Sequence, residues 1–122
     1  MKETEAEEKF RKGLDQFNGG HFFDAHETWE EIWLPAPEPE KTFLQGIIQV
    51  AAAFHHYTRG NRAGMQSLLQ AGLKKLEGFP KTHRGLRLEE LRAAAHRWID
   101  SLAAGRDPGP GALPRIKHAR RR

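Results

Sequence analysis

Glycine and proline cut this chain into five stretches whose apolar residues recur at helical spacing, with no period-two alternation anywhere, and that pattern predicts an all-α bundle. The first stretch runs roughly from Thr4 to Phe17, with Phe10, Leu14 and Phe17 at i, i+4 and i+7. Asn18-Gly19-Gly20 ends it with residues that tolerate positive φ. The second, His21 to about Leu34, is closed by Pro35, Pro37 and Pro39, the last well placed near the first turn of the next helix. The third, about Glu40 to Arg59, is apolar around most of its circumference and is expected to be central. Gly60-Asn61 stops it and caps a fourth, marked by Met65, Leu68, Leu69, Leu73, Leu76 and Phe79 and closed by Pro80. A fifth spans about Leu88 to Ala104, with Leu91, Ala95, Trp98 and Leu102 on one face. Short connectors favour antiparallel neighbours.

A chain of 122 residues has room for one hydrophobic core. The expected organisation is a single-domain bundle over residues 1–105 and a Pro/Gly linker with a flexible basic C-terminal tail over 106–122. The charge distribution supports this division: six Lys/Arg and one Asp lie from Arg106 onward, a net of +5 against +4 for the whole chain, so residues 1–105 carry −1. Deleting such a tail should leave the bundle intact. With no cysteine, any metal must be held by imidazole, carboxylate or amide groups. Met1 to Lys9 is a charged run unlike a signal peptide, and the third helix, interrupted by Gln45, Gln49, His55 and His56, is too polar for a membrane span. A cytoplasmic protein with no membrane partner is the expectation.

The chemistry concentrates in His26-Glu27-Thr28-Trp29-Glu30-Glu31-Ile32-Trp33. His26 and Glu30, four residues apart on a helix, stack on one face beside the stripe formed by Phe22, Ala25, Trp29, Ile32 and Trp33. An imidazole and a carboxylate at the edge of an aromatic core are costly to desolvate unless paired or ligated. They are candidate ligands for a divalent metal, the one cofactor the sequence suggests. On the third helix Gln45, Gln49 and His56 lie within about 40° of one another, while His55 falls on the side shared with Leu44 and Ile48. If the second and third helices form a hairpin, this polar stripe can meet His26 and Glu30 in one cleft, walled by Trp29 or Trp33, that takes a small ligand. In an enzymatic form Glu30 is ligand or general base, His26 ligand or proton shuttle, and Gln49 a substrate orienter.

Simpler roles are set beside these. Phe22, Phe23, Trp29 and Trp33 have core spacing, Glu30 can accept a hydrogen bond from His26, and Gln45 and Gln49 can pair with backbone groups. His21, His83, His96 and His118 lack supportive spacing and are expected in solvent. The alternative to a ligand site is thus a non-catalytic module for self-association or partner binding, its His/Glu pair structural. Ser67 and Ser101 have no nucleophile-elbow setting and Gly19-Gly20 lacks the lysine of a phosphate loop. The basic tail permits weak, sequence-independent contact with nucleic acid but offers no aromatic residue for base stacking.

The ordered succession of Phe17-Asn18-Gly19-Gly20-His21-Phe22-Phe23-Asp24-Ala25-His26-Glu27-Thr28-Trp29-Glu30-Glu31-Ile32-Trp33, then Phe43 to Ala53, then Gly60-Asn61-Arg62-Ala63-Gly64 resembles domain-of-unknown-function family 309 of bacteria and archaea. The likeness spans roughly Phe10 to Leu102, and its motif His-x-x-x-Glu-Glu-x-Trp is matched by His26, Glu30, Glu31 and Trp33. The resemblance implies an all-helical bundle with no assigned activity, and a His/Glu motif suggested to bind metal or otherwise to matter functionally. A tail such as Pro114 to Arg122 is not part of the shared region.

Overall fold

The computed structural model describes residues 2–119. Five helices follow in order, α1 (Glu3–Asn18), α2 (Phe22–Trp33), α3 (Glu40–Thr58), α4 (Arg62–Leu76) and α5 (Leu88–Ala103). Their ends fall where the sequence places them. Glu3 and Glu5 sit in the first turn of α1, where carboxylates oppose the helix dipole favourably. At its other end Gly20 takes φ +83°, letting the His21 N–H turn back to the Gln16 carbonyl. Gly60 does the same after α3, and the Asn61 side chain then accepts the Gly64 N–H as cap of α4.

The third helix is central, as its composition predicts: nine of its residues are buried, from Phe43 to Phe54. It runs antiparallel to α2, for Phe22 meets Phe54 at one end of the pair while Lys41 lies over the Trp33 ring at the other. On another side it meets α4 through glycines, since a Cβ on Gly72 would stand 2.8 Å from the Gly46 carbonyl oxygen and 3.2 Å from Gln49 Cβ. The core closes through aromatic contacts, with Trp98 of α5 edge-on to Phe54 at 5.4 Å and Trp29 of α2 between Phe10 and Phe17 of α1.

Between α4 and α5 the chain forms a small hairpin, β1 (Thr82–His83) and β2 (Leu86–Arg87), that helical periodicity does not reveal. Its two-residue turn places Arg84 at φ 54° and Gly85 at φ 74°, the pair of positive values a type I′ turn needs. Arg84 lies 3.9 Å over the Phe10 ring and pairs with Glu7 of α1 and Glu40 of α3. His83 is not in solvent, as its isolation in the sequence suggested. Its ring packs between Phe43 and Phe79, and its Nε2 is 2.7 Å from Glu40.

The largest departure lies past Gly105. Residues 106–119 are packed against the bundle rather than held off by a linker, which corrects the expected boundary. Asp107 accepts from Tyr57 and pairs with Arg62, and its carboxyl is held below the ordinary range by the Gly109 N–H, then Tyr57, then Arg62. Trp98 Nε1 donates to the Ala112 carbonyl, and Asn18 both donates to and accepts from the backbone of Ile116. Ile116 is 2% exposed. Backbone hydrogen bonds from Arg87 to Lys117 and from Ala119 to Gly85 align the segment beside the hairpin. Proline and glycine here shape a docked strap. The tail residues Arg120, Arg121 and Arg122 lie outside the described residues. No helix among the described residues is long and apolar enough to cross a membrane.

Candidate functional site

Residue spacing on α2 builds the site. Thr28 and Ala25 turn toward α1, where Thr28 Oγ1 donates to Gln16, and Trp29 is wholly buried with its Nε1 donating to the Phe10 carbonyl. Anchoring that face rotates His26 and Glu30 to the edge beside α3. His26 Nε2 lies 2.6 Å from Glu30 Oε1, the i,i+4 contact expected of them. His26 Nδ1 lies 3.4 Å from Glu27 Oε1, is buried, and makes no hydrogen bond. One ligand atom each from His26, Glu27 and Glu30 falls within 4.8 Å of the others.

Burial differs across the cluster. The His26 side chain is 24% exposed, whereas Glu30 and Glu27 are 49% and 58% exposed. The imidazole is thus held from below by the core while both carboxylates remain open to an incoming ion or ligand. Phe23 stacks on His26 at 6.1 Å and touches His55 of α3 at 5.1 Å. Half of Phe23 is exposed, so it is a wall of this site and not the core residue its spacing suggested. The His55 pKa is lowered, first by desolvation and then by the charges of His56, Arg59 and His26. A neutral imidazole on the facing helix is therefore favoured.

The other sequence candidates lie elsewhere. Gln49 sits against Gly72 on the α4 side of α3, with a buried Oε1 that has no hydrogen-bond partner, and Gln45, one turn earlier, shares its face. His56 pairs through Nδ1 with Asn61 at the α3–α4 turn. Trp33, half-buried under Lys41, is nearly two turns along α2 from His26. His56 is not among the ligand atoms gathered around His26. The polar stripe of α3 faces the α4 side, so the residues joining His26 and Glu30 are Glu27, Phe23 and His55. Phe23 opposite His55 follows from the antiparallel register, and that register is what the sequence lacked.

These features define a small helical protein that carries a histidine–carboxylate cluster on one exposed helix edge, walled by an aromatic ring and a second histidine. Residues 10–68 match the family described as Domain of unknown function (DUF309). The matched residues include all of α2 and α3 and hence the whole cluster. The chain is 31% identical over 93 residues to an uncharacterised protein of Aquifex aeolicus (strain VF5), covering 75% of this chain and 28% of that protein. It is 30% identical over 89 residues to the uncharacterised protein YpuF of Bacillus subtilis (strain 168), covering 68% of this chain and 51% of YpuF. The chain thus spans about a quarter to a half of the length of these relatives.

Proposed function

We propose that the protein binds a divalent metal ion through His26 and Glu30, with Glu27 as a third ligand, and presents that ion to a small molecule at the α2–α3 edge. The carrying observation is the convergence of one imidazole and two carboxylates within 4.8 Å. Two ligand atoms each about 2.0–2.2 Å from one ion stand roughly 3 to 3.5 Å apart; the three groups lie within 4.8 Å, with Glu30 on Nε2 and Glu27 on Nδ1 of His26, so a side-chain rotation would bring them onto one ion. Nitrogen and oxygen donors without thiolate suit zinc, manganese or nickel. Three protein ligands would leave a position open for water or substrate, an arrangement that favours chemistry over a purely structural site. His55, uncharged and across the Phe23 ring, is placed to accept a proton from what binds there.

Adding Zn²⁺, Mn²⁺ or Ni²⁺ is expected to raise the melting temperature by on the order of 10 °C at a hundredfold excess over Kd, since such an excess stabilises the folded state by about 2.7 kcal/mol. His26→Ala should abolish the shift and Glu27→Gln or Glu30→Gln should reduce it. Gln45→Ala, Gln49→Ala and His56→Ala should leave it unchanged. Ligation requires the neutral imidazole, so the shift should fade on acidification. Melting curves that do not move with any of the three metals, together with equal metal content in wild type and His26→Ala, would overturn the proposal.

One observation favours a second reading, the interaction module. Phe23 and Leu34 are the exposed large apolar side chains among the described residues; Phe23 is in the first turn of α2 and Leu34, its C-cap residue with helical φ/ψ, lies within about 20° of it around the helix axis. In that reading the protein self-associates through α2. Light scattering would show a dimer that Phe23→Ser with Leu34→Ser converts to monomer, and a native monomer at all concentrations would exclude it.

A further inference from the structure

The docked strap turns the basic tail into an ordered surface. Leu113 to Lys117 runs extended beside the hairpin, and its burial alternates: Pro114 and Ile116 point inward, Arg115 and Lys117 outward. The Asn18 clamp on Ile116 and the backbone bond from Arg87 to Lys117 fix this phase, because slipping by one residue would drive the cations into the core. Arg115 and Lys117 therefore share a face about 7 Å apart along the strand. They open onto a cleft of about 210 Å³ whose opposite wall is α5, and Arg97 of α5 joins them there.

Three cations thus line one recess. No carboxylate among the described residues lies within ion-pairing distance of any of them. The recess contains one acidic residue, Glu90, and that carboxylate is engaged by Arg87 at 3.4 Å. Some cations elsewhere are paired, as Lys9 is with Glu31, Arg62 with Asp107 and Arg84 with Glu7 and Glu40, and others such as Lys12, Lys74 and Lys81 stand singly; Arg97, Arg115 and Lys117 differ in lining one recess together. Gathering three uncompensated cations in a concavity costs repulsion that an anion relieves. Two guanidinium groups and an ammonium suit oxyanions, and a row of cations on a fixed strand suits a ligand with regularly spaced phosphates.

We propose that this cleft between α5 and the C-terminal strap binds the phosphate backbone of a nucleic-acid strand, with Arg97, Arg115 and Lys117 each contacting a phosphate. A recess admits a projecting strand better than a flat bilayer, and the exposed Phe23 and Leu34 that would insert into lipid are on another helix. No aromatic residue lines the cleft, so the contact is independent of base sequence.

The test is the fluorescence anisotropy of a labelled oligouridine titrated with the full-length chain. Three phosphate contacts contribute about −2 to the slope of log affinity against log salt, a roughly 20-fold loss between about 50 and 200 mM. The triple variant Arg97→Gln, Arg115→Gln, Lys117→Gln should lose about 2 from the measured slope and bind at least roughly tenfold more weakly at low salt. Its melting temperature should match wild type, since all three side chains are exposed. The charge-matched variant Lys12→Gln, Lys74→Gln, Lys81→Gln should bind almost as wild type does. Equal binding by the two triple variants would overturn the proposal. So would binding to vesicles of phosphatidylserine in phosphatidylcholine without binding to oligouridine, which would make the partner a membrane surface.

Discussion

Gly13→Ala is expected to destabilise the fold by about 2–4 kcal/mol, enough to remove a large part of a typical domain's stability. A Cβ at Gly13 would stand 2.1 Å from Trp29 Nε1 and 2.5 Å from Cδ1 and Cε2, inside the indole ring's own volume. Nothing there can give way cheaply. Trp29 is 0% exposed, stacked at 6.1 Å against Phe17 and tilted against Phe10, and its Nε1 donates to the Phe10 carbonyl at 3.1 Å. Moving the ring would break that hydrogen bond and leave a buried donor unpaired, about 1–3 kcal/mol, on top of about 1–3 kcal/mol for overpacking. The opposing term, the gain from replacing glycine by alanine within a helix, is only about 1 kcal/mol. Overpacking wins. Urea unfolding measures the effect, and a loss under about 1 kcal/mol would show that the indole is not seated on α1 as described. A double-mutant cycle with Trp29→Leu identifies the partner, since shrinking that ring should make the Gly13→Ala penalty much smaller.

This contact bears on the site as well as on stability. The seating of Trp29 at Gly13 sets the rotation of α2 about its own axis, and that rotation decides whether His26 and Glu30 lie at the α3 edge. Gly13→Ala should therefore weaken metal binding even in molecules that remain folded.

What the sequence reveals and what it hides follow from the range of each interaction. The helix boundaries at Gly19-Gly20, Gly60-Asn61 and Gly105 are local events of backbone conformation, and they are legible. The contact of His26 with Glu30 is also local, since four residues on one helix fix it. His55 is different. It reaches the site only because α2 and α3 run antiparallel with Phe23 level with it, and no feature of α3 alone distinguishes the face toward α2 from the face toward α4. On sequence alone Gln45 and Gln49 are equally eligible, although the close approach at Gly46 and Gly72 places Gln49 on the α4 side. Gly13 carried a signal, an unforced glycine inside a helix, whose cause is visible only once Trp29 is packed upon it.

Ending the chain after Gly105 is expected to cost several kcal/mol, where the composition of the segment suggested no cost. Composition misled because prolines, glycines and arginines dominate residues 106–115, while the information sits in the in–out alternation of Pro114, Arg115, Ile116 and Lys117. Ile116 alone, 2% exposed, should contribute about 2–4 kcal/mol by the usual cost of emptying a buried aliphatic site. Truncation adds the loss of both Asn18 hydrogen bonds to Ile116, the Trp98 bond to Ala112 and the Tyr57 bond to Asp107. The Trp98 donor is part-buried, so water would replace its partner only by reaching the ring, whereas the Tyr57 bond is exposed and contributes less. Ordering entropy of about 1–2 kcal/mol per residue opposes all this, so the net is smaller than the sum of contacts. It remains favourable because the segment is held at three separate points, Tyr57, Trp98 and Asn18, rather than at one. Chemical denaturation of the truncated chain and of Ile116→Ala separates packing from charge, since the point variant keeps every basic residue. A truncated chain and an Ile116→Ala variant that both unfold within about 1 kcal/mol of wild type would mean the strap merely rests on the bundle. The cleft between the strap and α5 would then have no fixed wall, and the phosphate-binding surface that depends on it would fail as well.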